Sequence, residues 1–314
     1  MKILASITAL MAITSSAAIA QTSITYKSAK STSSYYQMAV QYSEAIKKAT
    51  QGDYIVTVEE SQGSVQNVNE VPRRGANYLF TTPPSLIVKS MKGEEPFRQN
   101  EKYNEIRALF PIPSLNMHFV VSQKSGINSL EELSGKKYVI GKGSFSARKT
   151  QSVFATLGIE GVKYMDIELN SAIPALKNGQ VDGFTTASSW PTPNVIEIAA
   201  SMPIKLLSPS EEQLKQLGEP IVTIPAGTYK GVDYDVPSIT LPVIVYTTSE
   251  TDEETAYNLT KIFWESQKTM AEQSGWWNAV DIKLLNNAAT KLHKGAQRYY
   301  KEQGIEVPAK LMDE

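Results

Sequence analysis

The chain has 314 residues, 41 % of them hydrophobic and 20 % charged, with a formal net charge of −1 and no cysteine. This balance suits a globular core and lacks the basic excess a nucleic-acid partner requires; the absence of cysteine excludes disulfides, thiolate nucleophiles and zinc–sulfur sites together.

Met1–Ala20 has a single early lysine, Lys2, an apolar run from Ile3 to Ile13, and small residues ending in Ala18-Ile19-Ala20. The pattern predicts a secretory signal peptide cleaved after Ala20, leaving a soluble chain outside the cytoplasm. Charges resume at Lys27 and Lys30, so no membrane anchor is expected. The remaining 294 residues, at a net charge of −2 once Lys2 is lost, are enough for two domains of about 150 residues or one bilobal body.

Strand-like and helix-like segments then alternate, which predicts an α/β architecture. Ser23–Lys27 alternates; Ser33-Ser34 caps a helix carrying Tyr35, Met38, Ala39, Tyr42 and Ile46 at helical spacing. Tyr54–Glu59 alternates again, a helix starts near Ser64, and Tyr78–Thr81, Arg107–Phe110 and Met117–Val121 read as strands. Ser129-Leu130-Glu131-Glu132 has capping-box spacing, and Lys137–Ile140 is a strand before the glycines. Ser146–Leu157 and Ser171–Asn178 read as helices stopped by Gly158 and Gly179. Thr240–Tyr246 is a further strand, and Asp252–Gln273 and Lys283–Gln303 are two expected long helices ahead of a short tail.

Four strand-to-helix loops are rich in small and hydroxyl residues: Ser28–Ser34, Ser61–Ser64, Thr81–Pro84 and Gly141–Ser146. Helix N-termini present unpaired N–H groups and positive dipole ends, so a ring of such loops suits a small anion. Arg148 lies in a first helical turn, where an anionic ligand would offset the unfavourable dipole, and its planar fork suits a carboxylate. Phe145 and Trp190 sit where periodicity does not demand a buried hydrophobe and could wall a pocket.

Catalytic patterns are incomplete. Gly141-Lys142-Gly143 lacks the third glycine of a dinucleotide loop, and Ser146-x-x-Lys149 has no accompanying Ser-Asp-Asn or Lys-Thr-Gly. His118 falls in a strand and His293 in a helix, without metal-ligand spacing, and both read as structural. Asp182-Gly183-Phe184 reads as a turn ahead of a strand.

From Arg107 to Tyr246 the chain resembles the TAXI-type solute-binding subunits of TRAP transporters. The resemblance is carried by Ala108–Pro113, His118–Val121, Ser125–Lys136, Ile140–Ser144, Asp182–Phe184 with Pro191–Pro193, and above all Ile224–Pro237; upstream, Tyr35-Tyr36 and Gly63–Val68 also match. It implies a bilobal periplasmic-binding-protein fold of type II: two α/β lobes joined by a hinge, with C-terminal helices. Lobe I would hold 21–120 and 241–314, and lobe II 121–240. The protein would be a periplasmic monomer and not an enzyme, needing no cofactor or metal. It would bind a small organic anion, such as a glutamate-like amino acid or a dicarboxylate, and deliver it to TRAP membrane permease subunits. A sensor kinase as recipient, or a serine hydrolase, are the competing readings. The cleft is expected to be lined by Ser31, Ser33, Tyr36, Ser64, Asn67, Thr82, Ser144, Ser146, Arg148 and Trp190. Two departures from the family pattern narrow the pocket or add hydroxyls: Thr32-Ser33 in place of a glycine pair, and Phe145-Ser146 in place of Gly-Thr.

Overall fold

The computed structural model describes residues 21–313; the expected signal peptide, 1–20, lies outside the described residues. Strand β1 (Thr22–Lys27) leads into helix α1 (Ser34–Ala49), whose Tyr35, Met38, Ala39, Tyr42 and Ile46 are buried as the helical spacing requires. Then come β2 (Tyr54–Glu59), α2 (Ser64–Glu70), β3 (Tyr78–Thr82) and α3 (Pro84–Lys92). Strand β1 pairs in parallel with both β2 and β3, the arrangement that helical crossovers produce.

The two expected strands at 107–110 and 117–121 are one strand, β4 (Ile106–Ser122). Pro111 and Pro113 suggest a break, yet the strand runs through them. The ladder to its partner steps in register between Ile112 and Leu115, and that irregularity accommodates Pro113. Next are β5 (Lys137–Val139), α4 (Phe145–Thr156), β6 (Lys163–Met165), α5 (Ala172–Lys177) and β7 (Gly183–Ser188). They are followed by α6 (Pro193–Ser201), β8 (Ile204–Leu207), α7 (Glu211–Leu217) and β9 (Ile221–Ile224). Strand β10 (Val236–Thr248) returns antiparallel along β4, from Thr240 opposite Asn116 to Thr248 opposite Ile106.

The sheet order is β2-β1-β3-β10-β4-β7-β5-β6, with β8 also on β4 and β9 on β10. Long strands β4 and β10 thus carry one parallel set, β2-β1-β3, on one side and a second, β5-β6 with β7, on the other. Helices α8 (Glu253–Gln273) and α9 (Lys294–Glu302) return to the first set. There Phe263 of α8 stacks on Phe110 with centroids 3.9 Å apart, and Tyr42 meets both rings edge-on. A smaller core cluster gathers Phe184, Ile198, Leu206, Ile224, Tyr229 and Val236 beneath the second set.

Two expectations give way to tertiary contacts. Residues 282–293 are not the start of a long helix: Ile282–Asn287 is a 3₁₀ turn, Leu292 bridges to Ala108 of β4, and Thr290 Oγ1 donates to Ile106 O at 2.8 Å. His293 then caps the shorter α9 through its side chain. The Ser129 capping box is absent, since only a 3₁₀ turn forms at Glu131–Leu133; the Glu132 carboxylate instead accepts from Asn128 N at 2.8 Å. A complete capping box stands at Ser210 and Gln213, ahead of α7.

Candidate functional site

The loops leaving β1, β2, β5 and β6, with residues of strands β3, β4, β7 and β10, surround one cavity of about 80 Å³ between the two strand sets. At the first wall, Ser33 caps α1, accepting from Tyr35 N at 3.3 Å. At the second, Gly141 and Gly143 adopt positive φ of 80° and 69°, a turn open to glycine that folds Ser144 back as the cap of α4. Ser144 accepts from Ala147 N at 3.1 Å. The floor is apolar: Tyr35, Leu115, Phe145, Ala187 and Val243. Lys30 and Lys142 line opposite walls, and no acidic residue is among the lining groups.

The walls also touch across the opening. Lys30 Nζ lies 3.2 Å from Glu168, whose other oxygen accepts from Gln62 at 2.8 Å. Those two contacts hold the Glu168 carboxyl below the usual carboxylate range, with the Gln62 bond the larger cause. Thr32 Oγ1 donates to Asn170 Oδ1 at 2.7 Å. Deeper in, the hydroxyls of Ser34 and Ser188 meet at 2.7 Å, and Ser189 N donates to Ser34 Oγ at 3.1 Å.

Four of the ten expected site residues line the cavity: Ser33, Ser64, Ser144 and Ser146. The others do not, for identifiable reasons. Strand alternation gives the lining position to Thr81 and buries Thr82 on the opposite face. On α1 it is Tyr35, not the half-buried Tyr36, that reaches the floor. Asn67 is fully buried behind the wall, its amide donating to Ser28 O at 2.7 Å and Thr81 O at 3.0 Å, so that it ties β1 to β3. Ser31 is exposed and its N–H donates to Glu60. Arg148 is exposed and faces a neighbouring concavity with Gln151, Tyr164 and Asp166. Trp190 packs against the smaller core cluster.

The sequence reading missed Lys30, Lys142, Gln62, Glu168, Asn170 and Ser188. Lys30, Lys142 and Gln62 stood inside loops already singled out, and a cation within a hydroxyl-rich loop was the available signal. Nothing local marks Glu168, Asn170 or Ser188, which matter only because the sheet folds them onto the first wall.

Neither histidine reaches the cavity. His118 Nδ1 faces Asn116 O at 2.9 Å and so holds the proton; Nε2 accepts from the Tyr229 hydroxyl at 3.0 Å, which itself accepts from Thr192 N. Burial pushes the His118 pKa down to about 4. His293 Nδ1 accepts from Gly295 N at 3.2 Å, as the cap of α9. Among the described residues no group of three or more His, Asp or Glu is placed to hold a metal, and no helix is long and apolar enough to cross a membrane.

Two α/β strand sets joined by long antiparallel strands, with a cavity where the strand-to-helix loops converge, make this the fold of a periplasmic binding protein. The chain belongs to the NMT1-like family, whose model matches residues 27–304. Among solved structures it is similar to the periplasmic binding protein BugD, at 12 % identity and a TM-score of 0.59 over 92 % of this chain and 99 % of that one. It is similar also to MatC from Rhodopseudomonas palustris, solved with bound malate, at 12 % identity and a TM-score of 0.55 over 90 % and 96 % of the two chains. At such identity the likeness is one of fold.

Proposed function

We propose that the protein is the extracytoplasmic solute-binding subunit of a TAXI-type TRAP transporter, which captures a small organic anion between its lobes and delivers it to the membrane permease. Lobe I comprises 21–120 and 241–314, and lobe II 121–240. The observation that carries the reading is the lining: Lys30 and Lys142 on facing walls, each paired with an acid outside the lining, Glu168 and Asp166; the N-terminal ends of α1 and α4 directed at the same space; and no acid among the lining groups themselves. Cations and helix N-termini both favour a negative ligand, and both act more strongly away from bulk water. The bound malate of MatC is in keeping with a carboxylate in this fold.

Binding is favoured over catalysis because Ser144 and Ser146 have no base. Their hydroxyls donate to the Gly141 and Thr185 carbonyls, and both histidines are held elsewhere. The experiment is a thermal-shift screen of organic carboxylates against amines and neutral analogues of the same carbon skeleton. A ligand confined to the folded state raises the melting temperature by mass action. Carboxylates alone are expected to do so, and stabilisation by amines in their place would overturn the reading.

A further inference from the structure

We infer that the ligand is a short monocarboxylate with an unfunctionalised hydrocarbon body, rather than a dicarboxylate or an α-amino acid; this rests on the anion-binding reading above.

The first ground is donor count. A hydroxyl has one hydrogen to give. Ser28 gives its own to Tyr35 O at 2.8 Å, Tyr35 to Pro113 O, Ser144 to Gly141 O at 2.7 Å, Ser146 to Thr185 O at 3.3 Å, and Thr32 to Asn170. These groups therefore turn lone pairs or hydrocarbon to the cavity. Ser64, Thr81 and Thr186 keep theirs, and the Ser33 hydroxyl lies 3.3 Å from that of Ser188; with an ammonium they suffice for one carboxylate.

Charge is the second ground. Lys30 pairs with Glu168 and Lys142 with Asp166 at 2.7 Å, so the four groups sum to zero. An ammonium has three donors and can hold a ligand oxygen beside its existing partner, which suits one negative charge. A dianion would be desolvated without a matching pair of unengaged cations, and an α-ammonium would meet no acid in the lining. The third ground is the floor. Leu115, Phe145 and Val243 offer apolar contact and no polar atom beyond the main chain. A space of 80 Å³ holds on the order of six waters, and so a ligand of roughly ten heavy atoms or fewer.

The test is calorimetric titration of the wild-type protein with acetate, pentanoate, glutarate and glutamate. Pentanoate is expected to bind, with glutarate and glutamate at least about tenfold weaker, and each methylene from acetate to pentanoate is expected to add about fourfold in affinity. Phe145→Ala should lose most of the methylene gain, so that the ratio of pentanoate to acetate affinity falls toward one. Phe145→Leu, which keeps the apolar volume, should retain it even if the alanine variant folds poorly. Glutarate or glutamate binding as tightly as pentanoate overturns the inference and leaves anion binding standing. Failure of all four carboxylates to bind overturns anion binding itself, and the inference with it.

Discussion

Ser34 and Ser188, 154 residues apart in sequence, meet hydroxyl to hydroxyl at 2.7 Å with both side chains fully buried. Ser34 opens α1 and Ser188 ends β7, so this contact fastens one wall of the cavity to the other. Ser34 Oγ also receives Ser189 N, and removing it leaves a buried N–H unpaired. Ser34→Ala should therefore destabilise the fold by about 1–3 kcal/mol, measured by urea denaturation. It should also speed ligand release, because the two walls lose a fastening. A variant that matches the parent in both respects would remove Ser34 from any role in closure.

Lys30 and Lys142 line the cavity, whereas the sequence reading had placed the anion on Arg148. Lys30→Met retains the aliphatic stem and removes the charge. It should weaken carboxylate binding by about 1–2 kcal/mol, roughly five- to thirtyfold, with little change in melting temperature. Arg148→Ala should leave the affinity within about twofold. The reverse ranking in calorimetry would return the anion to Arg148.

Stability should fall below neutral pH because of His118. Its folded pKa is lowered to about 4 by burial, against an ordinary value near 6.5. Between those values the unfolded chain takes up a proton that the folded protein refuses. The stability is present above about pH 6.5 and is lost progressively as pH falls toward 4, up to about 3 kcal/mol. His293, lowered mainly by burial, acts in the same direction. Urea midpoints across pH 4–8 measure the decline, and His118→Gln should flatten part of it. A decline of undiminished slope in that variant would point to carboxylates instead.

Gly183 has no room for a side chain. A Cβ there would lie 2.3 Å from Val120 O and 2.7 Å from the Tyr138 ring. Gly183→Ala should force β7 away from β4 and β5 and cost about 3 kcal/mol or more, read from thermal melts. A melting temperature within a degree of the parent would contradict the packing at this crossing.

Local signals made most of the fold legible. The stripe from Tyr35 to Ile46 became one face of α1, the alternation at Tyr54–Glu59 became β2, and Gly158 and Gly179 follow the helices they were expected to stop. Where distant contacts decide, sequence failed. Residues 282–293 have a helix-like composition, yet the edge of β4 draws Leu292 and Thr290 into its own hydrogen bonding. The two strands expected at 107–110 and 117–121 are one, and the partner strand that absorbs the irregularity at Pro113 lies some 130 positions further on. In the candidate site, residues of all four hydroxyl-rich loops border the cavity, but which neighbour faces inward is set by strand and helix phase. Hence Thr81 and Tyr35 line the cavity while Thr82 and Tyr36 do not.

Hydrogen exchange, with and without the tightest-binding carboxylate, tests most directly the claim that one anion is held between the two walls. Protection should rise together in Ser28–Tyr35, Gly141–Ala147 and Glu168–Asn170, which the cavity and its cross-wall bonds join, and stay unchanged along α8 and α9. Protection confined to the concavity around Arg148, or spread evenly over the molecule, would contradict the account.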